Sequence, residues 1–464
     1  MAQSFYWYDL ETSGTQPRWD RIVQFAGFRT DLELNDIGEQ YCTYVRLPDE
    51  VLPDPDAAVV TRITPQMTRE EGISEWQALT RVNELFAIPG TCVAGYNSLR
   101  FDDEFIRFGL YRSLMDPYAR EWQNGNSRWD LIDLVRATGA LRRDGIKWPV
   151  DEEGLPVYRL EALSEANGLE HGQAHDALSD VRATVALARL IRDKQPRLFD
   201  FYFHNRFKKH PRSLLEPYGA RLCVHVSGMY PRSRYGVAPV MSMCRHPTNS
   251  NAIVVVDLAK DVECLLRWSA EEICEALFST DASERPPLKE LRINRCPFVA
   301  GIEVLTGENL ERLDIDLRVV KQRHRAMRTP GLAEKIQQVY RMDAHPGAAD
   351  VDAALYDGFL QDADRSRCQT LQDHLRAGAW LDLDYQDQRL VELAPRLKAQ
   401  SFPELMSDAE RAAQHERVAQ KLNAEDAQWR TLEVFEARLA GLQTDAVTSA
   451  LAEYGRQLRT RYPV

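Results

Sequence analysis

The sequence predicts a three-part protein: an α/β segment over residues 1–195, a mainly β segment with added helices over 196–350, and an α-helical segment over 351–464. Three observations predict it. In the first part, short runs of aromatic and β-branched residues alternate with helix-period stripes; in the second, strand runs are broken by Pro, Gly, Ser and Asn; in the third, helical periodicity is nearly unbroken.

Taken in order, FYWYD opens as an apolar run, and 22–29 and 40–47 have strand composition. Trp76, Leu79, Val82, Leu85 and Phe86 share one helical face over 75–87. CVAGYN at 92–97 is a buried-strand pattern that runs into a helix from Asp102 to Leu114, with further helices over 130–141, 159–169 and 176–194. In the last, Leu178, Val181, Val185, Ala188 and Ile191 make an apolar stripe. Gln195-Pro196 ends that helix, because a residue before proline is pushed out of the helical region. Strand patterns then fall at 221–228, 237–244 and 251–259, and Ser269 with Glu272 forms a capping box ahead of Ile273 and Leu277. Beyond 351, Leu432, Phe435, Leu439 and Leu442 form one helical stripe.

At 464 residues, 28% charged and 44% hydrophobic, the chain is excluded from being a single small domain or a disordered tract. No basic segment followed by a long apolar one follows Met1, and no run of about 18 apolar residues appears, so neither a signal peptide nor a membrane span is expected. Eight cysteines without a CxxC pair suit reduced thiols and a cytoplasmic location, and argue against zinc. The net charge of -12 discourages a polyanion partner, yet it is unevenly spread: -11, +4 and -5 across the three parts. Within 197–245, nine Lys and Arg, among them Arg206, Arg232 and Arg234, face only Asp200 and Glu216. The opposite imbalance, Asp151, Glu152 and Glu153, is expected to be a solvated loop.

Three acidic motifs carry the chemistry. In YDLETSG, strand alternation puts Asp9 and Glu11 on one side with Phe5 and Trp7, and Tyr6 and Tyr8 on the other. Apolar groups on both faces make the strand a buried one. Two adjacent carboxylates there are costly to ionise without a cation, and oxygen-only ligands suit magnesium or manganese. In GYNSLRFDDE, Asp102 falls where a strand gives way to a helix, a place from which a side chain reaches the end of a sheet; Asp102 or Asp103 would equally serve to cap that helix. In AHDALSD, Asp176 suits an N-cap, so that His175 lies just outside the helix and Asp180 one turn in; a near-neutral histidine there could take a proton from water. Each motif alone has a bland structural reading.

Their order along the chain does not. Asp9 and Glu11 followed by Thr12, Ser13 and Gly14, then an Asp after Asn97 and Phe101, then His175 five residues before Asp180, resemble the three motifs of the DEDDh 3′-5′ exonucleases. GYNSLRFDDE, DPYAREWQNGNSRWDLIDLVRA, INRCPF at 293–298 and the helical end are similar to the bacterial exonuclease I family, over essentially the whole chain.

The resemblance implies a ribonuclease H-like exonuclease domain, an SH3-like domain and a helical domain that close a groove around single-stranded DNA. It implies that Asp9, Glu11 and Asp180 bind metal with Asp102 as the fourth acidic residue, and that His175 is the general base. It implies hydrolysis supported by two magnesium ions, manganese substituting, with 5′-mononucleotides leaving the 3′ end. Glu11 would also bind substrate, Arg159 would contact the terminal phosphate region, and Arg107, Tyr118, Trp122 and Arg136 the strand. A monomer in DNA repair and recombination is implied, docking the tail of single-stranded DNA-binding protein. A non-catalytic DNA-end-binding module, or a hydrolase of RNA or small phosphates, are the other classes these residues admit.

Overall fold

A computed structural model describes residues 3–169, 177–279, 285–342 and 347–463. In chain order the elements are Ser4–Thr12 (β1), Ile22–Thr30 (β2), Asp36–Tyr44 (β3), Pro55–Thr61 (α1), Pro65–Glu71 (α2), Glu75–Ala87 (α3), Thr91–Gly95 (β4), Asp102–Arg112 (α4), Ser127–Asp130 (β5), Leu131–Leu141 (α5), Leu160–Asn167 (α6) and Ala177–Lys194 (α7). There follow Pro196–His204 (α8), Lys209–Leu215 (α9), Cys223–Val226 (β6), Val237–Arg245 (β7), Ala252–Asp257 (β8), Glu263–Arg267 (α10), Ala270–Phe278 (α11), Leu288–Arg292 (β9) and Phe298–Gly301 (β10). The remainder is helical: Gly307–Arg312 (α12), Leu317–Ala326 (α13), Leu332–Met342 (α14), Asp362–Arg376 (α15), Gln388–Ser401 (α16), Asp408–Leu422 (α17), Leu432–Ala440 (α18) and Ala446–Arg461 (α19).

The chain makes two compact units, one of Met1–Ser127, Gly172–Val181 and Gly347–Val464, the other of Arg128–His171 and Arg182–Pro346. In the first unit β1 is central: β2 pairs with it antiparallel, β4 parallel, and β3 lines the far edge of β2. Phe5 and Trp7 meet at a tilt on one face of β1, ring centroids 5.1 Å apart, while Tyr6 and Tyr8 meet Phe86 of α3 on the other, which is the alternation the sequence predicts. The C-terminal helices do not form a core of their own. Leu371, Leu375, Leu390, Leu393 and Leu397 are buried in the same cluster as Tyr6, Tyr8, Leu79 and Phe105. Leu432, Phe435 and Leu451 form a second cluster with Leu52 and Ala58.

In the second unit five antiparallel strands run in the order β10-β6-β7-β8-β9. Val240, Val255, Leu291 and Val299 fill its core. The capping box on α11 is present, Ser269 and Glu272 each accepting the other's backbone N–H. The acidic run is also explained: the Asp151 carboxylate accepts the Glu153 and Leu155 N–H groups and pairs with Arg232 at 2.6 Å. One strand is displaced from its expected place, β3 lying at 36–44 where composition points to 40–47. Residues 36–40 are exposed on a sheet edge, Asp36, Glu39 and Gln40 being polar and Ile37 open to solvent, which hydrophobic pattern does not reveal, while Val45 and Leu47 are buried beyond the strand.

Candidate active site

The site is built at the carboxyl end of β1. Asp9 faces Ala26 and Glu11 faces Gln24 across the β2 ladder, so both project from one face, and the ladder shifts register between Glu11 and Thr12. Asp180 arrives from the first turn of α7, where a carboxylate is also favoured by the helix dipole. One carboxylate oxygen from each of Asp9, Glu11 and Asp180 lies within 4.8 Å of the other two. Glu11 is 8% exposed and Asp180 9%. Like charges at such spacing repel by on the order of a few kcal/mol at a protein surface. The donor set is all oxygen, compact and acidic, and so fits a hard divalent cation such as magnesium or manganese.

Asp102 is placed by a tight turn. Asn97 adopts a left-handed φ of 62°, the Asp103 N–H donates to the Ser98 carbonyl at 2.8 Å, and α4 then starts at Asp102. Asp102 is buried and is not one of the trio that shares the 4.8 Å group. Its neighbour Asp103 is engaged otherwise: Arg120 donates to it at 2.7 Å and Arg107 Nε lies at 3.6 Å. The two adjacent acids thus divide, Asp103 taking part in packing. His175 and Asp176 lie outside the described residues.

The strand-binding candidates also divide. Arg107 is buried, bonded through Nε and Nη2 to Glu121 at 2.7 and 3.0 Å and through Nη1 to Glu104 at 2.9 Å. Burial pushes its pKa down, but the Asp103 and Glu121 carboxylates outweigh burial and hold it well above the usual arginine value. Its guanidinium backs the Tyr118 ring at 5.5 Å, and Tyr118 meets Phe359 edge-on at 6.2 Å. Trp122 is 67% exposed and Phe359 81%, so neither ring is core. Phe359 was not among the sequence candidates, because a single aromatic in a loop has no periodicity. In the second unit, Arg159 is exposed at the N-terminus of α6, and Arg136 pairs with Asp133 at 2.9 Å while lying against Gly228, where a Cβ would come within 2.7 Å of the guanidinium.

Three family models match the chain: Exonuclease over residues 6–188, Exonuclease I SH3-like domain over 206–342, and Exonuclease I C-terminal domain over 349–458. The chain is 41% identical to exodeoxyribonuclease I of Escherichia coli over 88% of its own length and 87% of that protein. The chain belongs to the exonuclease I family. A Haemophilus influenzae exodeoxyribonuclease I is 40% identical with the same 88% coverage of both. Among solved structures, the exonuclease I of Methylocaldum szegediense superposes with a TM-score of 0.91 at 44% identity, covering 98% of this chain and 99% of that one. Escherichia coli exonuclease I bound to a dA16 oligonucleotide gives 0.92 at 37%, covering 98% and 100%. The family's order of exonuclease, SH3-like and C-terminal domains is that of this chain, an exonuclease. No helix among the described residues is long and apolar enough to cross a membrane.

Proposed function

We propose that this protein degrades single-stranded DNA from its 3′ end, releasing 5′-mononucleotides by metal-supported phosphodiester hydrolysis. The observation that carries the reading is the carboxylate trio on β1 and α7, within a chain of the exonuclease I family. Asp9, Glu11 and Asp180 hold divalent cations, Asp102 supplies the fourth acidic group, and Glu11 also binds the substrate. Two magnesium ions, with manganese as a substitute, supply the charge that activates a water and stabilises the departing 3′ oxygen. His175 takes the water's proton, since an imidazole is the side chain that exchanges protons near neutral pH.

Arg159 and Arg136 neutralise phosphates, while Trp122 and Tyr118 offer rings on which bases stack without being read. Arg107, ringed by carboxylates, contributes through the Tyr118 ring that it backs. Eight cysteines without a CxxC pair suit reduced thiols, which supports a reducing compartment, the cytoplasm. A solved relative contains SSB together with exonuclease I, which supports the tail of single-stranded DNA-binding protein as a partner. Work as a monomer in DNA repair and recombination completes the reading. End-labelled single-stranded DNA, duplex DNA and RNA, each with magnesium or EDTA, test it. Mononucleotides should leave the 3′ end of single-stranded DNA with magnesium only; release starting at the 5′ end, or preference for RNA, would overturn it.

A further inference from the structure

The turn beyond Glu11 is held by parts of the chain far from it. Past the register shift at Glu11 and Thr12, the Ser13 N–H donates to the Arg21 carbonyl at 2.8 Å, its carbonyl accepts the Asp54 N–H at 2.6 Å, and its hydroxyl accepts the Arg21 N–H at 2.9 Å. Gly14 presses on Asp20 so closely that a Cβ would fall 2.4 Å from the carboxylate. Asp20, 2% exposed, accepts the Gln16 N–H at 2.9 Å. Asp20 and Asp54 therefore hold the turn from two sides, and one side chain from the C-terminal helical region bridges them. Arg430 Nη1 donates to Asp20 Oδ1 at 3.1 Å and to the Leu52 carbonyl at 2.7 Å, and its Nη2 donates to Asp54 Oδ2 at 2.9 Å. Beside it, Trp429 packs against Trp19 at 5.5 Å.

A tie between the C-terminal helices and α1 needs no such convergence: Arg438 of α18 makes one with Asp56 alone. Arg430 instead divides its planar fork between Asp20, whose carboxylate holds the turn, and Asp54, whose backbone N–H holds it while its carboxylate caps α1, and that turn begins two residues after a carboxylate of the trio. We propose that Arg430 is a positioning residue for the carboxylate site: by fixing the Ser13–Gly14 turn, it sets the direction in which Asp9 and Glu11 meet Asp180. The C-terminal region thereby acts on the chemistry from behind the strand. Partners that orient metal ligands typically change affinity by about 10–100-fold when lost.

The inference rests on the trio binding divalent cations, and the experiment separates the two. Mn2+ is titrated calorimetrically into the full chain, without DNA, for the wild type, Arg430→Gln, Arg430→Lys and Arg438→Gln, with thermal melting run on each. Arg430→Gln should weaken Mn2+ binding by about tenfold or more. Arg430→Lys should recover part of the loss, and Arg438→Gln should bind as the wild type. If Arg430→Gln does not fold, Arg430→Lys decides by the same shift. Wild-type affinity in a folded Arg430 variant, or an equal loss in Arg438→Gln, overturns the positioning role. A wild-type chain that binds no Mn2+ overturns the metal reading itself.

Discussion

Two groups of buried charge lie in the same compact unit and follow opposite plans. Around Asp352 the signs alternate: Lys421 donates to it at 2.8 Å, Arg21 at 3.1 Å, and Arg396 lies at 3.2 Å. Glu75 continues the network, taking Arg112 at 3.1 Å and Arg21 at 3.7 Å. At the end of β1 the signs repeat, three carboxylates gathering within 4.8 Å. A folding chain gains by surrounding a buried carboxylate with cations, as at Asp352. Drawing three carboxylates together instead costs mutual repulsion, which a divalent cation held by their oxygens would relieve, and such clusters concentrate at functional sites.

The comparison is broken most sharply by neutralising one member of each group. Asp9→Asn should lower turnover on single-stranded DNA by on the order of 10²–10³-fold or more, the scale of losing a group that stabilises transition-state charge, while leaving the melting temperature unchanged or raised. Steady-state kinetics with a parallel melt checks both. Asp352→Ala should do the reverse. It removes the carboxylate that Lys421, Arg21 and Arg396 share, and should cost about 3–5 kcal/mol in urea unfolding, the typical loss when one partner of a buried pair is removed.

Acid sharpens the contrast. Burial alone would raise the Asp352 pKa, but Lys421, Arg21, Arg396 and Arg112 outweigh it and hold the group well below the usual carboxylate range. The unfolded chain therefore takes up this proton first. The stability that Asp352 contributes is full above its unfolded value of about 4 and is lost as pH falls toward the depressed folded value. Urea midpoints between pH 5 and pH 2 should fall less steeply for Asp352→Asn than for the wild type, and parallel slopes would remove Asp352 from the acid response.

Smaller effects belong to the exposed rings. Trp122→Ala and Phe359→Ala should each weaken single-stranded DNA binding, read by fluorescence anisotropy in EDTA, by about 1–3 kcal/mol per stacked base, with the melting temperature unchanged. Smallest is Arg232→Ala, which removes an exposed pair to Asp151 and should leave both melting and binding near wild type.

How much of this was legible in the sequence follows from which interactions are local. Alternation along β1 placed Asp9 and Glu11 on one face, and helix-period stripes located α3 and α7, because both signals come from neighbouring residues. β3 was misplaced and β9 and β10 were not anticipated, since short or exposed edge strands owe their pairing to partners distant in sequence. The same limit hid Arg430, which is 410 residues from Asp20, and the inward turn of Arg107, whose partner Glu121 is 14 residues away. Composition alone does not separate Asp102 from Asp103 in FDDE, where the family resemblance singles out Asp102; the tertiary placement of Arg120 engages Asp103.

The central claim is that Asp9, Glu11 and Asp180 together form a divalent-cation site. The most direct measurement is the paramagnetic resonance signal of free Mn2+ titrated against the wild type and Asp180→Asn, in the absence of DNA. The account predicts that the wild type removes Mn2+ from the free pool and that Asp180→Asn, still folded, does so at least about tenfold more weakly. Equal uptake by both proteins, or none by either, would contradict it.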